Sequence, residues 1–280
     1  MLSSSKVEVH ELIAWELDEY PYRNSAMGCR REMVERAQQK LAERECYATC
    51  PALLAEDSES IDYLLAECRQ RSDLHAEYEG LDWTLGVVDL RRLLAFQRRL
   101  VFTATQPTSH PPQQDDWPRL LSLTIGFRRS TEHHFVHNGS GTGDLDISLH
   151  SNNPDLQLRL STGRGDHLPL FLYGGSPFCE VAELRGRWFL RDGYHRAYRL
   201  LQAGVHRIPA VVIHARTIEE LGATKPWFFS EEQLFSERPP QVMDFLDEDM
   251  VLRYERTAFR KVIRIRVEES LQAFEETDEV

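Results

Sequence analysis

One stretch limits the possible folds more than any other. It is Gly-Arg-Trp-Phe-Leu-Arg-Asp-Gly-Tyr-His-Arg-Ala-Tyr-Arg-Leu-Leu-Gln-Ala-Gly-Val-His-Arg-Ile-Pro-Ala-Val-Val-Ile, residues 186–213. A strand runs into Asp192-Gly193, a helix begins at once, and Gly204 suits the helix end before a second apolar strand, 208–213. A strand–turn–helix–strand unit of this kind belongs to a mixed α/β fold. Gly193 permits a sharp turn with the backbone close to a ligand. The first-turn amides beyond it point outward, and the helix dipole adds positive potential there. His195 and Arg196 fall in that first turn, and Arg199 follows at helical spacing from both. Open amides with charged forks beside them are how a chain builds a phosphate site. The alternative is an ordinary strand–helix junction whose arginines face solvent.

Charge sharpens the contrast. The chain of 280 residues carries a net charge of −12, from 33 Lys+Arg and 45 Asp+Glu. Between Arg185 and Arg216 it carries seven arginines and one acid, Asp192, a local net of +6. The overall balance disfavours non-specific binding to nucleic acid or anionic membrane, and the local one favours a small polyanion. No apolar run reaches the roughly 20 residues of a membrane span, and the first 20 residues mix acids among apolar positions, unlike a signal peptide. The expected location is the cytoplasm. Five cysteines (29, 46, 50, 68 and 179) without a C-x2-C pair read as reduced thiols rather than a zinc site or disulfide framework.

Along the chain, residues 6–20 read as an amphipathic helix on Val9, Leu12, Ile13 and Leu17. Gly28 to Cys50 and Ser58 to Tyr78 read as two more, which makes 1–80 a helical N-terminal region. A strand at 85–88 opens the next part. The Pro-rich 106–118 reads as a loop, and 120–127, 144–150 and 156–160 as strands. Residues 178–184 and 188–191 flank Arg185-Gly186-Arg187 as a hairpin. Residues 222–250 read as irregular, with some helix. Residues 259–267 read as a strand alternating Arg with Val/Ile, before an acidic tail.

Asp192, Gly193, His195, Arg196, Ala203, Gly204, Ile208, Pro209, Val211 and Val212 together resemble the signature of the ParB/sulfiredoxin-like superfamily. The hairpin before them and the segment Gly86–Arg99 also resemble that family. The resemblance covers about 85–100 and 170–215. It implies a mixed α/β core over 81–216, with a β-rich insertion at about 101–170, a helical N-terminal extension over 1–80, and an extension with acidic tail over 217–280. It also implies nucleotide or phosphate binding at the helix start. Known members include CTP-binding partition proteins, ATP-using sulfiredoxins and free-serine kinases.

Carried over residue by residue, Gly193, Tyr194, His195 and Arg196 would hold phosphate. Arg199 would help fork it, with Gln97, Arg98 and Arg99 as a facing loop and Arg191 and Arg207 behind. His195 and Asp192 would be the catalytic candidates, for nucleotide hydrolysis or phosphoryl transfer. Mg2+ would accompany CTP or ATP, with Asp192 and Asp89 as its nominees. Two departures count against specific members. Tyr194 stands where sulfiredoxins place their cysteine, and Gly-Tyr-His-Arg replaces the partition proteins' Gly-Glu-Arg-Arg. The alternatives are a non-catalytic regulatory or protein-binding module of the same fold, and a ParB-like nuclease.

Weaker patterns remain. His133, His134 and His137, near Asp144, Asp146 and His150, could ligate a metal but read better as a solvated loop. Asn138–Gly143 resembles a phosphate loop but lacks its lysine and following helix. His10, Trp15 and Trp83 read as core or interface residues. Arg260, Lys261, Arg264 and Arg266 place positive charge along one strand, facing either the phosphate site or the acidic tail.

Overall fold

The computed structural model describes residues 6–15, 27–54, 59–103, 112–126, 134–137, 145–151, 156–160 and 170–267. In chain order the elements are β1 (Lys6–Leu12), α1 (Met27–Glu43), β2 (Leu53–Leu54), α2 (Glu59–Cys68), α3 (Ser72–Glu77), β3 (Trp83–Asp89), β4 (Leu94–Ala95), β5 (Arg99–Thr103) and α4 (Trp117–Thr124). Then come β6 (His134–His137), β7 (Leu145–Ser151), β8 (Gln157–Leu160), β9 (Leu170–Tyr173), β10 (Glu180–Leu184), β11 (Arg187–Asp192), α5 (Tyr194–Gln202) and β12 (Arg207–His214). The chain ends with α6 (Ile218–Leu221), α7 (Glu231–Leu234), β13 (Val251–Thr257) and β14 (Lys261–Val267), and short 3-10 turns lie at Leu90–Arg92 and Val242–Leu246. The fold is mixed α/β.

The chain divides into two compact units. The larger comprises Met1–Arg128 and Ser176–Ala258, and the smaller Arg129–Gly175 and Phe259–Val280. The larger unit is built on a six-stranded sheet of order β2-β3-β12-β10-β11-β4. β10 and β11 form the antiparallel hairpin, β12 lies parallel to β10, and β4 lies parallel to β11. The hairpin turn places both Arg185 and Gly186 at positive φ, as a two-residue turn between right-twisted strands requires. β12 is buried along Ile208–Ile213, the continuous apolar run of a central strand. A second sheet, β13-β1-β5, is antiparallel throughout.

Several elements differ from the sequence reading. Residues 6–12 are a strand, not the start of a helix. Val7 and Val9 alternate into the core, and β1 pairs on both sides, so sheet pairing overrides an apolar spacing that also suits a helix. Residues 117–124 are a helix, not a strand. Pro118 stands in its first turn, where a missing N–H costs nothing, and Leu120 and Thr124 turn inward one turn apart. The third expected helix is two, α2 and α3. Among the described residues, the first 80 therefore hold three helices but also lend β1 and β2 to the sheets. The helix α1 starts where the sequence places it but ends at Glu43, short of Cys50, and the strands β3, β7, β8, β10, β11, β12 and β14 fall where the sequence places them.

The smaller unit has a three-stranded antiparallel sheet, β14-β7-β6, and the hairpin β8-β9. No helix of the described residues is long and apolar enough to cross a membrane.

Candidate functional site at the start of α5

β11 ends at Asp192, whose carboxylate accepts from the Gly193 amide. Gly193 then turns the chain into α5 with φ of +91°. A side chain there would be strained by conformation and by space, because a Cβ would sit 2.6 Å from Cys179 Sγ and 3.2 Å from Cys179 Cα. Close packing of Gly193 on Cys179 thus fixes where the helix starts. With glycine as its N-cap, the first turn has no side-chain cap.

α5 buries Tyr194, Ala197, Tyr198 and Leu200, an apolar face at helical spacing, and leaves Arg199 exposed. The three residues of its first turn each reach a different neighbouring segment. The buried Tyr194 hydroxyl accepts from the amides of Phe96 (3.0 Å) and Gln97 (3.4 Å), which follow β4. Burial holds its phenol far above the ordinary tyrosine range. His195 Nε2 donates to the Val101 carbonyl at 2.9 Å, so that nitrogen carries the proton, and its ring stands edge-on to Phe102. The Arg196 guanidinium donates to three backbone carbonyls, those of Leu123 (3.2 Å), Pro177 and Phe178 (2.7 Å). Together these contacts gather Gln97, Gly193, Tyr194, His195 and Arg196 at one end of the six-stranded sheet.

The other cations of the positive stretch are taken up locally. Arg191 pairs with the buried Glu180, which also accepts from Tyr78 at 2.6 Å. Arg207 forks Asp115 with two 2.7 Å bonds. Arg185 pairs with Glu231 and Arg216 with Glu220, while Arg187 donates to the carbonyls of Leu234 and Ser236. Arg98 donates to Phe228 and Gln233, and Arg99 pairs with Glu11 at 3.1 Å. The local +6 is therefore largely balanced by acids and carbonyls distant in sequence. Asp115, Glu180, Glu231 and the carbonyls of Leu123, Pro177 and Phe178 lie outside the motif. A carbonyl partner leaves no trace in residue type, so residue patterns cannot reveal that Arg196 is held by backbone.

The two metal nominees have protein partners. Asp89 is buried and accepts from the backbone and guanidinium of Arg91, with Arg92 also near, and Asp192 accepts from Gly193. Among the described residues no three His, Cys, Asp or Glu side chains gather as a metal site. Cys46 and Cys50 are exposed, Cys68 and Cys179 buried, and all four are free thiols. Burial raises the Cys179 thiol. Of the histidine pattern, His134 and His137 lie on the strand β6 rather than the expected loop, because pairing with β7 sets them in a sheet, with His134 opposite His150. His133, Asp144 and the loop Asn138–Gly143 lie outside the described residues. His10 and Trp15 are buried, and Trp83 is half-buried.

No family model, curated protein or solved structure matches this chain.

Proposed function

We propose that this protein has a ParB/sulfiredoxin-like core and binds a nucleotide or another phosphate compound at the start of α5. The observation that carries the reading is the left-handed Gly193, which opens a nine-residue helix with no side-chain cap on its first turn. Backbone amides there supply the oriented donors that phosphate oxygens take. Arg199, exposed in the last turn of α5, carries a further guanidinium on the same helix. His195 and Arg196 act differently from a pair of free ligands. Each is tethered to backbone carbonyls, and each fixes a segment around the helix start. Titration calorimetry with CTP, ATP, GTP and inorganic triphosphate tests the reading. Micromolar to millimolar binding is expected, weakened in Arg199→Ala. A well-folded protein that gives no heat with any of the four overturns it.

The tethering of His195 and Arg196 favours a second reading, that the same fold serves as a regulatory module without turnover. A histidine whose Nε2 proton is committed to Val101 is not poised as a general acid. The expected outcome is no phosphate release above background. Release that is lost in His195→Ala would overturn the non-catalytic reading while leaving the binding site in place.

A further inference from the structure

β14 is the terminal strand of the β14-β7-β6 sheet. Among the described residues no strand pairs with its outer edge, so it presents a row of backbone donors and acceptors, a ready template for another chain. Its seven residues, Lys-Val-Ile-Arg-Ile-Arg-Val, are all exposed or half-buried. Successive side chains point to opposite faces. One face carries Val262, Arg264 and Arg266, and the other Lys261, Ile263, Ile265 and Val267. Val262 and Val267 are each 44% exposed.

Most of the charges on this edge have no ion-pair partner among the described residues. Arg260, Lys261 and Arg264 form no ion pair with a described residue, and Arg266 reaches Asp146 only at 3.5 Å. In a chain of net charge −12, whose arginines around α5 are nearly all engaged, a run of cations with little pairing among the described residues stands out. Cations guard an edge against pairing with its own copy, because two such strands would set guanidinium against guanidinium. They also select a strand of the opposite charge. Screening over about 8 Å at physiological salt lets this local strip outweigh the net charge of the whole. Nucleic acid fits less well. It would leave the valines and isoleucines and the backbone edge unused, and a long polyanion meets the acidic remainder of the chain.

We infer that the outer edge of β14 docks an extended segment of a partner protein that alternates acidic with apolar residues and adds to the sheet as a fourth strand. Its carboxylates lie beside Arg264 and Arg266, and its apolar side chains beside Ile263, Ile265 and Val267. Main-chain bonds give affinity, and the alternation gives selectivity.

The probe is a fluorescein-labelled nine-residue peptide alternating Glu with Val, titrated against the full chain and read by anisotropy. Saturable binding is expected, about tenfold weaker for Arg264→Glu, intermediate for Arg264→Ala, and falling with salt. The same peptide N-methylated at alternate residues is expected not to bind, and bound peptide is expected to slow amide exchange across 261–267. Absent binding, or equal binding by Arg264→Glu or by the N-methylated peptide, overturns the inference. So does tighter binding of a dT oligonucleotide at this edge, or self-association lost in Arg264→Glu.

Discussion

Asp89 and Gly193 carry two kinds of constraint that a single residue can impose. Gly193 is needed for what it lacks. Its left-handed backbone and its contact with Cys179 leave no room for a side chain, and the start of α5 depends on both. Asp89 is needed for its charge. It caps the 3-10 turn at Leu90–Arg92 through the Arg91 amide and accepts from the Arg91 guanidinium. Burial alone would raise its carboxyl, but hydrogen bonds and charge from Arg91, with Arg92 adding to them, outweigh burial and hold it below the ordinary value. A carboxylate depressed in the folded state contributes stability above its unfolded pKa, about 3.9, and loses it as pH falls through the lower folded value. The unfolding midpoint should therefore drop below about pH 4. Asp89→Asn should be less stable at neutral pH, with a shallower acid decline. Thermal unfolding of both proteins between pH 2 and 7 measures this, and parallel curves would show that Asp89 does not contribute to the acid limb.

At the scale of elements, α5 is held by its first turn as much as by its apolar face. Arg196 spans α4, through the Leu123 carbonyl, and the segment leading into β10, through Pro177 and Phe178. A planar fork can serve several carbonyls at once, and a lysine cannot. Arg196→Ala should cost on the order of 2–3 kcal/mol, with Arg196→Lys recovering little. Denaturant unfolding followed by circular dichroism measures it, and full recovery by lysine would show that charge alone matters. The same role explains what residue patterns reveal here. The hairpin, Gly193, α5 and β12 were legible because their signals are local: turn glycines, a helical apolar face and a β-branched run. β1 was not, because Val-Glu-Val-His-Glu-Leu suits either period, and only the flanking β5 and β13 decide it. α4 is not legible either, because its apolar residues form a run that fits a strand as well as a short helix. The commitments of Arg191 to Glu180 and of Arg196 to carbonyls were equally hidden, since they arise from chain folding rather than residue order.

Across the whole molecule, the described residues of the two compact units differ in how much apolar surface they enclose. The larger unit buries both faces of β12 and most of β10 and β11, with Phe178, Phe189, Phe229 and Phe245 fully enclosed. In the smaller unit, Leu149 and Leu156 are the buried apolar side chains among the described residues. Burial is the dominant source of stability, so a thin core opens at lower free energy than a thick one. β7 and β14 should therefore exchange their amides well before β10, β11 and β12, though all five are hydrogen-bonded strands. Hydrogen exchange followed by mass spectrometry, on peptides covering 145–151 and 261–267 against 180–192 and 207–214, measures the difference. Equal protection would mean that the smaller unit draws its stability from more than its own buried side chains. A low opening energy would also suit an edge strand that gains a neighbour on binding, because the added strand would stabilise the part of the chain with most to gain from further burial.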